Sequence, residues 1–589
     1  MKYPKTKLQW LWENMEGKHL VFILGIIGTL MYASMQLIVP YFSGQIVDEF
    51  LTGDDVATKI ATDQAHFYTM IGLMIGLTVL RVVIVYLDCM AFEYVSQSVL
   101  NRVRNFLFRK TEHQDMTFYS TYRTGDLMTR MTGDLDAVRH NIAWVMRAII
   151  ESITLYSATA IFFFVMNWKL AICMLVITPF ILLIIIVFKK KVAPLHALLR
   201  EKFATLNTDA QENISGNRVV KAFAREDYEI EKFDKANVDY KETNQKTAME
   251  WLKFFPYVEI LCNILPAVLL IAGGLFVIYD ELTVGEYVAF SGLIWAISNP
   301  MRLLGNIMNE FQRFSAASDK VMEIYYAEPT IKDPENPVSH PERFEGKIEF
   351  KNVTFKYADG VENVLNDISF TANPGETIAI MGETGCGKTS LIQMIPRFFE
   401  PTVGEILIDG VNVNQYKLSE LRKNIGLATQ DVLLYSDTIE GNISYGDSSL
   451  SLEKIIKYAK ESAANSFISK MPDGYETIIG ERGVGLSGGQ KQRISLARAL
   501  AIEPSILILD DTTSAVDMET EKEIQHSLAN LDFNCTKIII AQRISTTKTA
   551  DRIIVLKDGR ILEEGNHQEL IANKGYYYDL VCLQTGEVI

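Results

Sequence analysis

TIAIMGETGCGKTSLIQMIPRF, residues 377 to 398, reads as an apolar strand, a glycine-rich turn and the start of a helix. The turn, Gly382 to Thr389, fits G-x-x-x-x-G-K-[ST] in the strand-to-helix setting that this motif requires. Its glycines let backbone N–H groups wrap phosphates at a helix N-terminus, where the helix dipole favours negative charge. Lys388 is placed to reach the β and γ phosphates, and Thr389 to offer a hydroxyl to Mg²⁺. The ATP-binding set read from this stretch is Gly382, Glu383, Thr384, Gly385, Cys386, Gly387, Lys388, Thr389 and Ser390. An ordinary glycine turn is the alternative, and the flanking strand and helix argue against it.

Two further stretches follow downstream. ILILDD, residues 506 to 511, is a second buried strand ending in acid, and Asp510 at its tip can hold Mg²⁺. Alone this signal is weak, because a strand also ends in Asp where a turn follows. LSGGQKQRISLARAL, residues 486 to 500, precedes it: a Ser-Gly-Gly turn opening a helix sets backbone donors and the Ser487 hydroxyl at a positive helix end suited to a γ-phosphate. For Ser487 by itself a plain helix N-cap is the simpler reading. LSGGQ about a hundred residues after the phosphate loop and twenty before the acidic strand is the strongest signal in the chain.

The first half has another character. A chain of 589 residues exceeds one core, and 48% hydrophobic residues is high for a soluble protein of this charge. Residues 20 to 44 carry no charge over 25 positions, enough for a helix to cross about 30 Å of hydrocarbon. No small-residue cleavage site follows, so a membrane helix is expected and not a signal peptide. Further spans are expected at 67 to 92, 141 to 166, 170 to 188, 254 to 279 and 284 to 308, six in all. Lys and Arg are plentiful in the N-terminus, in 101 to 139 and in 189 to 246, whereas the loop 48 to 65 has one Lys and five acids. Both termini are therefore expected in the cytoplasm.

Residues 325 to 345 are polar and hold four of the chain's 16 prolines, which reads as a linker between a membrane domain, 1 to 324, and a soluble domain, 346 to 589. The six cysteines, at 89, 173, 262, 386, 535 and 582, have neither metal nor disulfide spacing, which implies a reducing compartment. A net charge of −15 argues against nucleic acid as a partner.

With these motifs in place the sequence resembles the ATP-binding-cassette transporters, specifically exporters in which six membrane helices precede one nucleotide-binding domain. The resemblance covers nearly the whole chain and implies a membrane helical bundle followed by an α/β P-loop ATPase domain. It implies that Tyr357 stacks on adenine and that Gln430 touches Mg²⁺ and the attacking water. It also implies that Ser514 to Asp517 form the loop between paired cassettes, and that Leu486, Ser487, Gly488, Gly489 and Gln490 act on a partner's ATP. Mg²⁺ would be held through Thr389, Gln430 and Asp510.

Two positions depart from the family pattern. The general base, a Glu in the family, is Asp511 here, and its carboxylate is pulled back by about one C–C bond; a misplacement on the order of 1 Å can cost about 10²-fold in rate. The switch histidine is Gln542, which can donate a hydrogen bond but carries no titratable nitrogen. Both changes fall on the phosphate-loop side of one composite site while LSGGQ is intact. That pattern resembles heterodimeric exporters, in which one site hydrolyses and a degenerate one mainly retains ATP.

The stretches 117 to 136 and 207 to 229 resemble the intracellular loops that dock on the cassettes. Of the intramembrane charges, Arg147 and Glu151 are spaced i, i+4 and are expected to pair. Arg81 and Asp88 are expected to be satisfied inside the bundle. Glu259, with Asn263 four residues on, has no cationic partner in its own helix and is a candidate for a substrate cavity, a partner from another helix being the alternative. The expected function is ATP-driven export of hydrophobic or amphipathic compounds across a bacterial cytoplasmic membrane by a heterodimer. A lipid or peptide exporter is the alternative within the class, and an ATP-gated regulatory or channel-like module the alternative outside it.

Overall fold

A computed structural model describes residues 5–53, 56–338, 343–480 and 483–585; residues 339–342 of the expected linker and 54–55 of the first loop lie outside it. The chain forms two compact units. One comprises the residues up to Glu112 with Thr124–Ala327, the other His113–Arg123 with everything from Glu328 onward.

The first unit is helical. Among the described residues five runs are long and apolar enough to cross a membrane: α1 (His19–Leu51), α2 (Gln64–Glu112), α3 (Thr124–Met166), α4 (Trp168–Ser215) and α5 (Glu226–Ile278). α6 (Val284–Tyr325), which contains the expected span 284 to 308, has 42 residues but is more polar, with Glu286, Asn299 and Arg302 along it. α2 alone has 49 residues, about 73 Å at 1.5 Å per residue, so more than half of it extends beyond a hydrocarbon layer of about 30 Å. Leu155, Phe163, Leu170, Met174, Phe290 and Leu293 form the buried core. Side chains such as Leu20, Ile161 and Val165 remain exposed, as apolar groups whose solvent is lipid are free to do.

Several charged groups inside this bundle are paired, whereas buried Asn141 and Thr159 make no side-chain hydrogen bond among the described residues. Arg147 lies 3.8 Å from both Asp88 and Glu151 and donates to the Tyr32 hydroxyl at 3.0 Å, while Asp88 also accepts from Thr29 at 3.0 Å. Glu259 is met by Arg302 of α6 at 2.9 Å, so its partner comes from another helix; Asn263 is exposed. At the opposite end of α1, Asp48 accepts from the Gly285 N–H and the Thr283 hydroxyl, both at 2.6 Å. A carboxylate there caps the positive end of α6. The backbones touch at this point: a Cβ on Gly285 would lie 2.0 Å from the Gly44 carbonyl oxygen.

The second unit holds two sheets. β1 (Ile348–Phe355), β2 (Leu365–Ala372), β4 (Val403–Ile408) and β5 (Val411–Asn412) make an antiparallel sheet in the order β2-β1-β4-β5. The larger sheet runs β10-β9-β3-β8-β7-β6, with β3 (Thr377–Gly382), β6 (Ile425–Ala428), β7 (Ile506–Asp510), β8 (Thr536–Ile540), β9 (Arg552–Lys557) and β10 (Arg560–Gly565). All its pairings are parallel except β10 with β9. The central strands ILILD and TIAIMG are buried nearly throughout, as parallel strands covered on both faces must be. Register puts Asp510 opposite Ile540 and Leu509 opposite Ala428. The carboxyl ends of β3, β6, β7 and β8 therefore share one edge, where open α/β sheets bind their ligands.

His113–Arg123 contributes a short helix, Met116–Thr121, capped by Asp115. The same carboxylate accepts from the Thr330 N–H at 2.5 Å, the Thr330 hydroxyl at 2.6 Å and the Ile331 N–H at 3.3 Å.

Candidate nucleotide site

The loop after β3 is shaped by backbone that side chains rarely adopt. Gly382, Gly385 and Gly387 have φ of +148°, +86° and +100°. A Cβ on Gly382 would lie 2.2 Å from the Leu556 carbonyl oxygen, and one on Gly387 2.7 Å from Leu365. Gly387 opens α7 (Lys388–Gln393). Lys388 folds back over the loop, donating to the Gly382 and Glu383 carbonyls at 2.9 and 2.7 Å, with the Cys386 sulfur 3.8 Å away. Its ammonium thus stands at the mouth of the loop, above exposed Glu383, Thr384 and Gly385. Ser390, buried in the first turn, bonds the Tyr357 hydroxyl at 2.8 Å, and the Tyr357 ring packs edge-on against Phe355 and Phe399.

Thr389 donates to Asp510 at 3.2 Å. A hydroxyl and a carboxylate facing each other are the hard oxygens a small divalent cation prefers. Burial pushes the Asp510 carboxyl above its usual range, with the Thr389 hydrogen bond and Lys388 acting against it. Gln430 stands exposed two residues beyond the end of β6.

Asp511 adopts a left-handed backbone, φ +50°, with its N–H on the Ile540 carbonyl at 3.2 Å. Burial raises its carboxyl too. Its Oδ2 accepts from Gln542 Nε2 at 2.9 Å. The two positions that depart from the family pattern are thus direct partners.

Ser487 caps α8 (Gly488–Ala501): its hydroxyl accepts from the Gln490 N–H and the Gln490 side chain accepts from the Ser487 N–H. Ser487 and Gly488 are exposed and Leu486 half-buried, whereas Gly489 is buried against the loop after β7, where a Cβ would lie 2.6 Å from the Ala515 carbonyl oxygen. Among the described residues no hydrogen bond joins Ser487 to Lys388. Gln492, which sequence reading passed over, is buried two residues beyond the motif. It donates to the Ser514 hydroxyl at 3.2 Å and accepts from the Ala515 N–H at 3.1 Å, tying α8 to that loop. Its signal is only that an amide sits on the inward face of a helix, which requires a buried partner.

Family models described as "ABC transporter transmembrane region" and "ABC transporter" match residues 22–301 and 365–514. Uncharacterized ABC transporter ATP-binding protein YknU of Bacillus subtilis (strain 168) is 37% identical over 96% of both chains. The chain is an ABC exporter half-transporter. Other relatives of this exporter are the ATP-dependent lipid A-core flippase of Syntrophus aciditrophicus (strain SB), 36% identical over 85% of this chain and 83% of that one, and the putative multidrug export ATP-binding/permease protein YgaD of Bacillus subtilis (strain 168), 33% identical over 96% and 97%. A bacterial Atm1-family ABC exporter solved with ATP bound has the same fold, with a TM-score of 0.82 at 24% identity over 97% of this chain and all of that one. The exporter is an integral membrane protein and an ATPase coupled to transport.

Proposed function

We propose that this exporter moves hydrophobic or amphipathic compounds out of the cytoplasm or inner leaflet, pairs with a different half-transporter, and retains ATP on its own phosphate-loop side. The observation that carries this reading is the 2.9 Å hydrogen bond from Gln542 to Asp511. A general base needs a lone pair aimed at the attacking water; here Gln542, which carries no titratable nitrogen, takes one acceptor site of the shortened carboxylate and fixes its direction.

In this reading Lys388 and the backbone of Gly382 to Thr389 cradle the phosphates, Thr389, Asp510 and Gln430 hold Mg²⁺, and Tyr357 packs beside the adenine. Mg²⁺ would supply charge neutralisation at the β and γ phosphates. Ser487 to Gln490, of which Ser487 and Gly488 are exposed, serve the partner's ATP. All six helices α1 to α6 span the membrane with both termini cytoplasmic; the Glu259–Arg302 pair makes the more polar α6 tolerable there. Glu259 paired in this way has little net charge to offer a cation. The exposed Ile214, Val219 and Phe223 around the short helix Asn217–Ala222 suit docking on a cassette.

Purifying the chain with its natural company tests the pairing: a second half-transporter carrying Glu and His at the positions of Asp511 and Gln542 supports it. Full ATPase turnover by the chain alone refutes it. A lipid substrate is the second reading, favoured by the names of the lipid A-core flippase relatives, and reconstituted vesicles loaded with labelled lipid distinguish it from drug export.

A further inference from the structure

The last described helix, α9 (Tyr576–Thr585), carries no motif, yet it touches the nucleotide site twice. Glu563 of β10 fixes its start, accepting from the N–H groups of Tyr576 and Tyr577 at 2.6 and 3.0 Å. Tyr577 and Val581 are fully buried, and the Tyr577 hydroxyl meets His567 at 2.7 Å and Thr547 at 3.2 Å. This anchorage makes α9 part of the core that also contains Ala379 and Met381 of β3 and Ile544.

From that anchor the Tyr576 hydroxyl donates to the Glu383 carboxylate, in the phosphate loop, at 2.7 Å. Two turns on, the Gln584 amide donates to the Gln542 carbonyl at 2.8 Å and accepts from the Ile544 N–H at 3.0 Å. Ile544 opens a short helix, Ile544–Thr547, so its N–H has no partner within that helix. A primary amide supplies both an acceptor for that group and a donor for the carbonyl two residues earlier. Gln542 is therefore held twice, by Asp511 through its side chain and by Gln584 through its backbone.

We propose that Gln584 and Tyr576 are positioning residues of this chain's ATP site, through which the C-terminal helix fixes the pose of Gln542 on Asp511 and of Glu383 in the phosphate loop. The proposal rests on the ATP site, and its direction, slower release, on the retention reading above. The exporter is purified as it assembles, loaded with radiolabelled ATPγS, and the release of nucleotide timed. Gln584→Ala is expected to release it about three- to tenfold faster, as the loss of one or two ordinary hydrogen bonds predicts, with the nucleotide-free melting temperature unchanged. Gln584→Glu, which keeps the acceptor but loses the donor, is expected to fall between. Tyr576→Phe keeps the ring and is expected to weaken binding of a fluorescent ATP analogue at this site about two- to threefold, as the loss of one hydrogen bond predicts.

Wild-type release from Gln584→Ala, or faster release that only follows a lowered melting temperature, overturns the role of Gln584. Wild-type affinity for the ATP analogue in Tyr576→Phe overturns that of Tyr576. The double variant Asp511→Glu/Gln542→His separates the two readings. If it releases nucleotide at the wild-type rate while Gln584→Ala does not, retention by the degenerate pair fails and positioning by α9 stands.

Discussion

Gln542 Nε2 and Asp511 Oδ2 are 2.9 Å apart just beyond the ends of β7 and β8, where Asp511 is buried and Gln542 exposed. Under the retention reading proposed above, each departure weakens hydrolysis and the hydrogen bond couples the two. Restoring both should therefore do more than restoring either. Asp511→Glu/Gln542→His is expected to raise ATP turnover at this site at least about tenfold, since a positioned general base contributes about 10² to 10⁴. The single variants should each gain less, because the remaining wild-type residue leaves the base misplaced or the switch neutral. Steady-state ATPase of the assembled exporter measures this.

Asp511→Asn offers the converse. In a site that depends on this carboxylate the change would cost orders of magnitude in rate; here it is expected to alter turnover by less than about twofold. ATP binding, followed by a fluorescent analogue, should be preserved, because Lys388 and the loop glycines are untouched. Lys388→Ala, by contrast, removes the ammonium at the mouth of the loop and is expected to weaken ATP binding at least about tenfold, the loss of a charge-assisted contact.

Gly285→Ala tests the meeting of α1 and α6. Its methyl group would collide with the Gly44 carbonyl at 2.0 Å, so the backbones must part. Overpacking of this kind costs about 1–3 kcal/mol, and it also loosens the Asp48 cap. A lowered melting temperature in detergent is the expected outcome, with ATP affinity of the surviving folded protein unchanged.

Asp115 gives a pH dependence. Burial by itself would raise its carboxyl, but hydrogen bonds from Thr330, Phe118 and Ile331 outweigh that and hold it below the ordinary value of 3.8. A carboxyl lowered in the folded state contributes stability above its unfolded value and loses it as pH falls through the folded one. Asp115→Asn should remove that contribution. Its melting temperature is expected to lie below wild type near neutrality, and the two curves should converge as pH falls below the ordinary carboxylate value of 3.8. Thermal melts across that range provide the check.

What the sequence made legible were features with a local cause. The phosphate loop announces itself because Gly382 and Gly387 sit where a Cβ would strike Leu556 or Leu365. The buried strands of the larger sheet do so because both faces are covered. Side-chain partners drawn from distant parts of the chain left no such trace. Glu259 has no cation in its own helix because Arg302 is 43 positions away on another, and Gln584 carries no motif because its partners lie 40 and 42 positions away. Asp511 and Gln542 stood out individually as departures, but their direct bond depends on β7 and β8 being neighbours, which is a matter of strand order and not of spacing.

The close approach of Gly44 to Gly285 has a mechanical meaning. Two helices whose main chains touch without room for a methyl group, and whose junction is pinned by Asp48, cannot slide along one another by even a fraction of a turn. α1 and α6 are joined there like the blades of shears at their rivet, and any change in their separation elsewhere along their length must come from rotation about that point. Spin labels placed on the two helices near residues 41 and 288 should report one fixed distance through the ATP cycle, and a distance that changes there would rule the rivet out.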